Sequence, residues 1–158
     1  MKPYLAIYTD MLLSLQLGNY RGATSLSKPL YIIAIINSIK TIENNRIYLD
    51  NKVIEQNFKE LYHTFQGKYT YSRAAYIAPF FHLATSTFYH LIWNGKKEPP
   101  SMSSTPSAKY LREHLRYAKL DEELWELVQD AGNREYFRRN IIARYLPNNN
   151  IVYHGEQV

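Results

Sequence analysis

The segment of residues 27–36 constrains the fold more than any other part of the sequence. Pro29 is followed by residues 30–36, a run that is apolar on every face of a helix. Proline is favoured at the first position of a helix, and a helix that is apolar all round is buried on all sides. We therefore predict a central buried helix that begins at Pro29 and ends near Ile42, with the rest of the chain packed around it.

The composition limits the classes of protein to which this chain can belong. A length of 158 residues is typical of one domain, which we assign to residues 1–147, with a loosely ordered tail at residues 148–158. The chain has no cysteine, which excludes disulfides and thiolate metal sites and is typical of a cytoplasmic protein. The longest apolar run, of about ten residues, is too short to span a bilayer.

Helical periodicity and turn residues divide the remaining chain into short elements. The spacing of apolar residues predicts an amphipathic helix before Gly18 and a helix that Asp50 caps and Gly67 ends. Aromatic runs at residues 80–83 and 87–93 predict an antiparallel β-hairpin. A short strand at residues 46–49 and three further helices complete the prediction, and these helices begin near Ser107, after Asp121 and after Asn133. The predicted fold class is α+β, mainly α: a helical domain around a buried central helix with a small antiparallel β-hairpin.

The sequence contains none of the common catalytic or nucleotide-binding motifs. There is no phosphate-binding loop, dinucleotide fingerprint or H-E-x-x-H pair. His82 and His90 fall on the predicted hairpin without a nearby carboxylate, which is a poor arrangement for a metal. We therefore predict no catalytic residue, no metal and no cofactor. A hydrolase would require His82 or His90 to meet a nucleophile and an acid in the folded protein.

Basic residues in two polar segments are the better candidates for a binding site. Arg21 and Lys28 precede the central helix, where free N–H groups and the helix dipole favour an anion. Lys68 and Arg73 lie in a second segment, interleaved with tyrosines that include Tyr76. With nineteen basic against fourteen acidic residues and a net charge of +5, this pattern favours an acidic partner such as nucleic acid.

A second basic cluster lies on the last predicted helix. It consists of four arginines: Arg134, Arg138, Arg139 and Arg144. With Glu135 beside them, we interpret these arginines as a solvated helix face rather than as a binding site.

The order of several short motifs resembles that of a known family. They are Arg21-Gly22, Ser27-Lys28-Pro29-Leu30, Arg46-Ile47-Tyr48-Leu49-Asp50 and Ala78-Pro79-Phe80-Phe81-His82-Leu83. In this order they resemble the sulfur-binding domain of bacterial HNH restriction endonucleases, over residues 5–146. That domain recognises DNA in which sulfur replaces one non-bridging phosphate oxygen.

The resemblance implies a mainly helical domain that binds double-stranded, phosphorothioate-modified DNA. It places Pro79 and Ala78 in a small apolar cup for the sulfur, with Tyr76 as an aromatic neighbour, although the family has a tyrosine where Ala78 stands. It places Lys28 near a basic residue of the family that contacts phosphate, and Lys109 is the basic residue nearest to a further family arginine. Together with the basic residues of the two polar segments, the residues predicted to contact the DNA backbone are Arg21, Ser27, Lys28, Lys68, Arg73 and Lys109. Ser27 stands where the family usually has a histidine.

The resemblance also implies a partner that carries the chemistry. The nuclease half of such enzymes has histidines and an asparagine around a metal, and this sequence contains no such site. The chain is then either the recognition part of a longer HNH restriction endonuclease of a bacterial defence system or a stand-alone reader. Two alternatives are a protein–protein adaptor with a tyrosine-rich surface and a DNA-binding domain without modification specificity. The hypothesis that the chain recognises phosphorothioate DNA requires four residues to converge on one exposed face: Arg21, Lys28, Arg73 and Pro79.

Overall fold

The computed structural model describes residues 3–20, 23–67, 69–95, 99 and 104–146. In these ranges the chain forms α-helices and short β-strands in the order α1 (Pro3–Leu12), β1 (Asn19–Tyr20), β2 (Ala23–Thr24), α2 (Ser27–Asn37), α3 (Lys52–Gln66), α4 (Arg73–His82), β3 (Tyr89–Trp93), α5 (Ala108–His114), β4 (Leu115–Leu120), α6 (Glu122–Leu127) and α7 (Ala131–Tyr145). The predicted α+β, mainly helical class with a small antiparallel sheet is confirmed.

Helix α2 is the centre of the fold, as the apolar run predicts. Every residue from Pro29 to Ile36 is buried, and α3, α4 and α7 all pack against this helix. The helix begins at Ser27, two positions before the proline, and ends at Asn37. A short 3-10 helix, Ile39–Thr41, follows it.

Helix α3 ends where the sequence indicates but is capped by the neighbour of the predicted residue. The Asn51 side-chain oxygen accepts hydrogen bonds from the Val53 and Ile54 N–H groups, both at 3.0 Å, so Asn51 and not Asp50 is the N-cap. Gly67 follows the last helical residue, and a Cβ atom at this position would overlap the carbonyl oxygen of His63. Glycine is therefore required sterically at this helix end.

The segment predicted as a loop followed by a strand is helix α4, so this part of the prediction is wrong. Its large side chains Tyr76, Ile77, Phe80 and Phe81 are buried, and they fall at positions i, i+1, i+4 and i+5, which is helical spacing. Pro79 lies inside the helix and cannot donate the hydrogen bond to the carbonyl four residues earlier. Burial of the aromatic face outweighs this loss and the weak helix propensity of the aromatic residues.

Strand β3 forms within the predicted second strand, but its partner differs from the prediction. It pairs antiparallel with β4, with Tyr89 opposite Leu120 and Leu91 opposite Ala118. The helix predicted from Ser107 to Ala118 ends at His114, and the chain continues directly as β4. The strand predicted at residues 46–49 is a single bridge in which Ile47 pairs with Ala118.

Two of the four arginines of α7, Arg139 and Arg144, are exposed as the sequence suggests, whereas the other two are not. Asp130, rather than Asn133, caps the helix by accepting a hydrogen bond from the Asn133 N–H. Arg134 and Arg138 are buried, with exposed fractions of 5% and 4%. Arg134 donates to the Val128 carbonyl at 2.8 Å, and Arg138 donates to the Asn37 side chain at 2.9 Å. These two arginines therefore connect α7 to its neighbours.

The predicted tail at residues 148–158 lies outside the described residues. Within the described ranges, none of the helices combines the length and the apolar character that a membrane-spanning helix requires.

Candidate nucleic-acid interface

An open pocket of about 590 Å³ lies between the N-terminus of α2, the C-terminal half of α3 and one side of α4. The segment that follows α1 closes its remaining side. The lining residues are Gln16, Leu17, Gly18, Asn19, Ser25, Ser27, Lys28, Tyr62, Gln66, Thr70, Ser72, Ala74, Ala75, Ala78, Pro79, His82 and Thr85. Two segments that are distant in the sequence, residues 25–28 and residues 74–85, therefore share one concave surface.

The apolar wall of the pocket is the small-residue side of α4. Ala74, Ala75, Ala78 and Pro79 line it, while the large residues of the same helix face the core. Pro79 is itself buried and still lines the pocket, which places it at the floor rather than at the rim. The methyl and ring carbons here form a shallow apolar surface without charge.

Lys28 provides the cationic end of the pocket. Its Nζ donates to the Gln16 carbonyl at 2.7 Å and to the Thr85 hydroxyl at 3.1 Å. It so holds the segment after α1 against the short 3-10 helix, Leu83–Thr85, that follows α4. Among the described residues, no carboxylate lies within ion-pair distance of this ammonium group. Burial lowers the pKa of Lys28 below its usual value of 10.5, because desolvation disfavours the charged form.

The N-terminus of α2 adds polar groups beside Lys28. Leu26, at the N-cap position, makes no side-chain capping bond, and its N–H donates to the Gln66 side-chain oxygen at 2.7 Å. The Ser25 hydroxyl donates to the Ser27 hydroxyl at 3.2 Å, and both serines line the pocket. The Ser27 N–H donates to the Ser25 hydroxyl at 3.3 Å and Pro29 has no N–H, so the helix dipole is the main feature of the backbone that favours an anion at this end.

His82 completes the polar end, and the sequence-based prediction did not include it in the site. It lies on α4 one turn beyond Pro79, and its Nε2 is 2.9 Å from the Thr105 hydroxyl. Burial, together with the neighbouring charge of Lys28, lowers the pKa of His82 below 6.5. If residues 73–82 are interpreted as a helix, this histidine lies on the same face as Ala78. The sequence thus contained a signal for His82, which the interpretation of its segment as a strand missed.

Arg73, predicted to bind the DNA backbone, is paired within the protein. Its guanidinium donates to Asp50 at 2.7 Å and lies 3.3 Å from Glu55, and Arg112 approaches Asp50 at 3.7 Å. The hydrogen bond from Arg73 holds the pKa of Asp50 below its usual value of 3.8. Arg73 does not line the pocket, although its neighbours Ser72 and Ala74 do.

Tyr76, predicted as the aromatic neighbour of the sulfur, does not line the pocket either. Its side chain is fully buried, with its ring 5.7 Å from that of Tyr31 and 5.5 Å from that of Phe58. Its hydroxyl is buried without a hydrogen-bond partner in the described part of the chain. Tyr76 is thus a core residue beneath the apolar wall.

The remaining predicted contacts fall elsewhere. Lys109 lies on α5 with a side chain that is 84% exposed, 3.9 Å from Glu113, and it does not line the pocket. Arg21 and Lys68 lie outside the described residues. The structure therefore brings together Ser27, Lys28, Ala78 and Pro79 from the predicted set.

Comparison with known proteins establishes the fold. The helices around the pocket belong to a fold also found in domains solved with modified DNA. The chain is similar to the sulfur binding domain of ScoMcrA complexed with phosphorothioated DNA, with a TM-score of 0.68, 13% identity, and coverage of 89% of this chain and 87% of that one. No protein-family model and no curated protein matches the sequence.

Two larger structures contain the same fold. The sulfur binding domain and SRA domain of ScoMcrA, complexed with phosphorothioated DNA, matches with a TM-score of 0.68 and 14% identity, over 87% of this chain. The Type IV phosphorothioation-dependent restriction endonuclease ScoMcrA matches with a TM-score of 0.64 and 14% identity, over 88% of this chain. The present chain spans 42% of the first structure and 25% of the second.

Proposed function

We propose that this chain is a non-catalytic module that binds double-stranded DNA and recognises a phosphorothioate in its backbone. The observation that carries the proposal is the meeting of Lys28 with Ala78 and Pro79 in one open pocket. The shared fold supports it, because the similar domains of ScoMcrA are complexed with phosphorothioated DNA.

The two ends of the pocket suit the two parts of such a group. Lys28, Ser27 and the positive end of the α2 dipole lie at the polar end of the pocket, where charge-assisted hydrogen bonds with phosphate oxygens are favourable. The side of α4 at Ala78 and Pro79 receives the sulfur, which is larger and less strongly hydrated than oxygen. A well-shaped apolar contact of this kind contributes about 1–3 kcal/mol of discrimination, or about 10- to 200-fold in affinity.

Residues outside the pocket have different parts in this proposal. Arg21 and Lys68 are predicted to contact the DNA backbone on either side of the pocket. Lys109, which is exposed on α5, is a candidate for a more distant contact. Arg73 and Tyr76 support the pocket from within the protein, because Arg73 is paired with carboxylates and Tyr76 is surrounded by the core.

We further propose that the module is the recognition part of a restriction system in the cytoplasm and acts with a nuclease domain or a partner chain. The support is the similarity to part of the ScoMcrA endonuclease, of which this chain covers a quarter. The module would select the modified DNA, and the nuclease would cleave it.

The test is a titration of paired duplexes that differ only in one sulfur atom. We expect the phosphorothioate duplex to bind at least about tenfold tighter than the plain duplex. Ala78→Leu should remove this preference by filling the apolar wall. Ala6→Leu, which changes an exposed alanine of α1, is the matched control and should keep the preference.

Three outcomes separate the candidate functions. Equal affinity for both duplexes would leave a DNA-binding domain without modification specificity. Absence of binding to either duplex at low salt would favour the protein–protein adaptor. A preference that survives Ala78→Leu would place the sulfur outside this pocket.

A further inference from the structure

The polar end of the pocket contains a second basic side chain besides Lys28, which is His82. His82 lies three residues after Pro79 and four after Ala78, so helical geometry puts all three on the same side of α4. This side lines the pocket. His82 is therefore placed where a ligand seated on Ala78 and Pro79 would lie within its reach.

We propose that His82 is a further ligand-contacting residue of the pocket, which binds the DNA backbone anion together with Lys28 and takes up a proton as the anion enters. This inference rests on the proposed function and deepens it. Because His82 takes up a proton on binding, recognition of the DNA backbone depends on pH in the neutral range.

The contacts of His82 leave its ring available to a ligand. Nε2 lies 2.9 Å from the Thr105 hydroxyl, which orients the ring. Nδ1 has no hydrogen bond within the described part of the chain. An imidazole held at one nitrogen and open at the other can donate to an anion once it is protonated.

The surroundings of His82 favour the neutral imidazole before the ligand binds. Burial of the ring, together with the charge of Lys28 on α2, lowers the pKa of the histidine. Its other named neighbours, Thr85 and Thr105, are uncharged, and no carboxylate lies within ion-pair distance of the ring among the described residues. Two cations in one partly buried site are unfavourable unless an anion compensates them.

A bound backbone phosphate or phosphorothioate supplies that anion. Its negative charge favours the imidazolium form, so the pKa of His82 rises when the ligand binds. The bound state then holds more protons than the unbound state, and affinity increases as the pH falls, by up to about tenfold per pH unit for one proton. Protonation of Lys28 also increases the affinity as the pH falls, but at alkaline pH. A variant at His82 is therefore needed to separate the effects of the two groups.

The experiment is a pH series of binding to the phosphorothioate duplex at constant ionic strength. The wild-type protein should gain affinity as the pH is lowered from about 8 to about 6. His82→Gln retains a polar side chain that cannot titrate, and its profile should be flat in that range. His114→Gln changes a histidine of α5 that does not line the pocket and should retain the wild-type profile.

A second measurement covers the case in which His82→Gln perturbs the fold. The pKa of His82 is followed by NMR in the wild-type protein with and without the duplex. A rise on binding supports the inference. An unchanged pKa, or a His82→Gln profile identical to that of the wild type, overturns it.

The two proposals fail in different ways. If the plain and modified duplexes bind equally, sulfur recognition is wrong, and the pH series on the plain duplex still tests the contact of His82 with the phosphate. If the modified duplex is preferred but binding does not vary with pH, only the role of His82 is wrong. If neither duplex binds, both proposals fail.

Discussion

The two ends of helix α4 carry basic side chains in opposite electrostatic settings. At the N-terminal end, Arg73 is paired with Asp50 and lies close to Glu55. At the C-terminal end, His82 and the nearby Lys28 have no carboxylate partner within the described residues. The charge at the first end is compensated within the protein, whereas the charge at the second remains available to an anionic ligand. A basic residue near a site can therefore be assigned to ligand binding only once its partners within the protein are known.

The largest expected effect is the loss of Lys28. We expect Lys28→Ala to weaken DNA binding by about 10- to 100-fold, because a hydrogen bond to a charged group contributes about 1.5–3 kcal/mol. The slope of log affinity against log salt should decrease by about 1. Fluorescence anisotropy over a range of salt concentrations measures both quantities.

The matched control for Lys28 is the exposed lysine just beyond the other end of the central helix. Lys40 follows the C-terminus of α2, so Lys40→Ala removes the same charge from a position about 18 Å away along the helix. This variant should bind DNA as the wild type does. An equal loss from both variants would show that net charge, rather than the pocket, governs binding.

An intermediate effect is expected beneath the apolar wall. Tyr76→Phe removes a buried hydroxyl that has no hydrogen-bond partner in the described part of the chain. We expect the free energy of unfolding to increase by about 1 kcal/mol, because an unpaired buried polar group is costly. Denaturant unfolding measures this change, and DNA affinity should be unaltered. Weaker binding by this variant would return Tyr76 to the ligand site.

The smallest effect is expected at the paired end of α4. Arg73→Gln should lower the free energy of unfolding by less than about 1 kcal/mol, because the pair with Asp50 is partly exposed and screened by solvent, and DNA affinity should change little. The pKa of Asp50 is lowered in the folded state. The stability that the ion pair contributes is therefore fully present above pH 3.8, and it is lost as the pH falls through the lowered pKa of the folded state. The stability difference between wild type and variant should therefore disappear in acid.

The control for Arg73 is a basic residue whose ion pair is long and exposed. Lys109→Gln breaks a contact of 3.9 Å at a side chain that is 84% exposed, and we expect no measurable change in stability. If Arg73→Gln instead abolishes DNA binding without loss of stability, the guanidinium contacts DNA directly and the contrast between the two ends of α4 is wrong.

The parts of the fold that the sequence predicted correctly are those in which local pattern and tertiary environment agree. The apolar run after Pro29 leaves a helix no exposed face, so burial of α2 follows from the residues alone. Gly67 ends α3 because a side chain there would meet the preceding turn. For the site, Ser27, Lys28, Ala78 and Pro79 were predicted from a resemblance of motifs, and the structure places them in one pocket.

The errors lie where two local signals conflict. The aromatic residues of α4 favour a strand by propensity, yet Tyr76 and Phe80 fall at a helical spacing. Only their burial against α2 decides in favour of the helix. The same error placed His82 on a strand and separated it from the pocket.

The sequence by itself determined a buried central helix with a mainly helical shell, because hydrophobic burial depends on residue type and periodicity. Only the tertiary structure decided that β3 pairs with the distant β4, that carboxylates compensate Arg73, and that His82 and Lys28 line the same pocket. The physical reason is that strand pairing and charge compensation depend on which groups lie close in space. No local pattern carries that information.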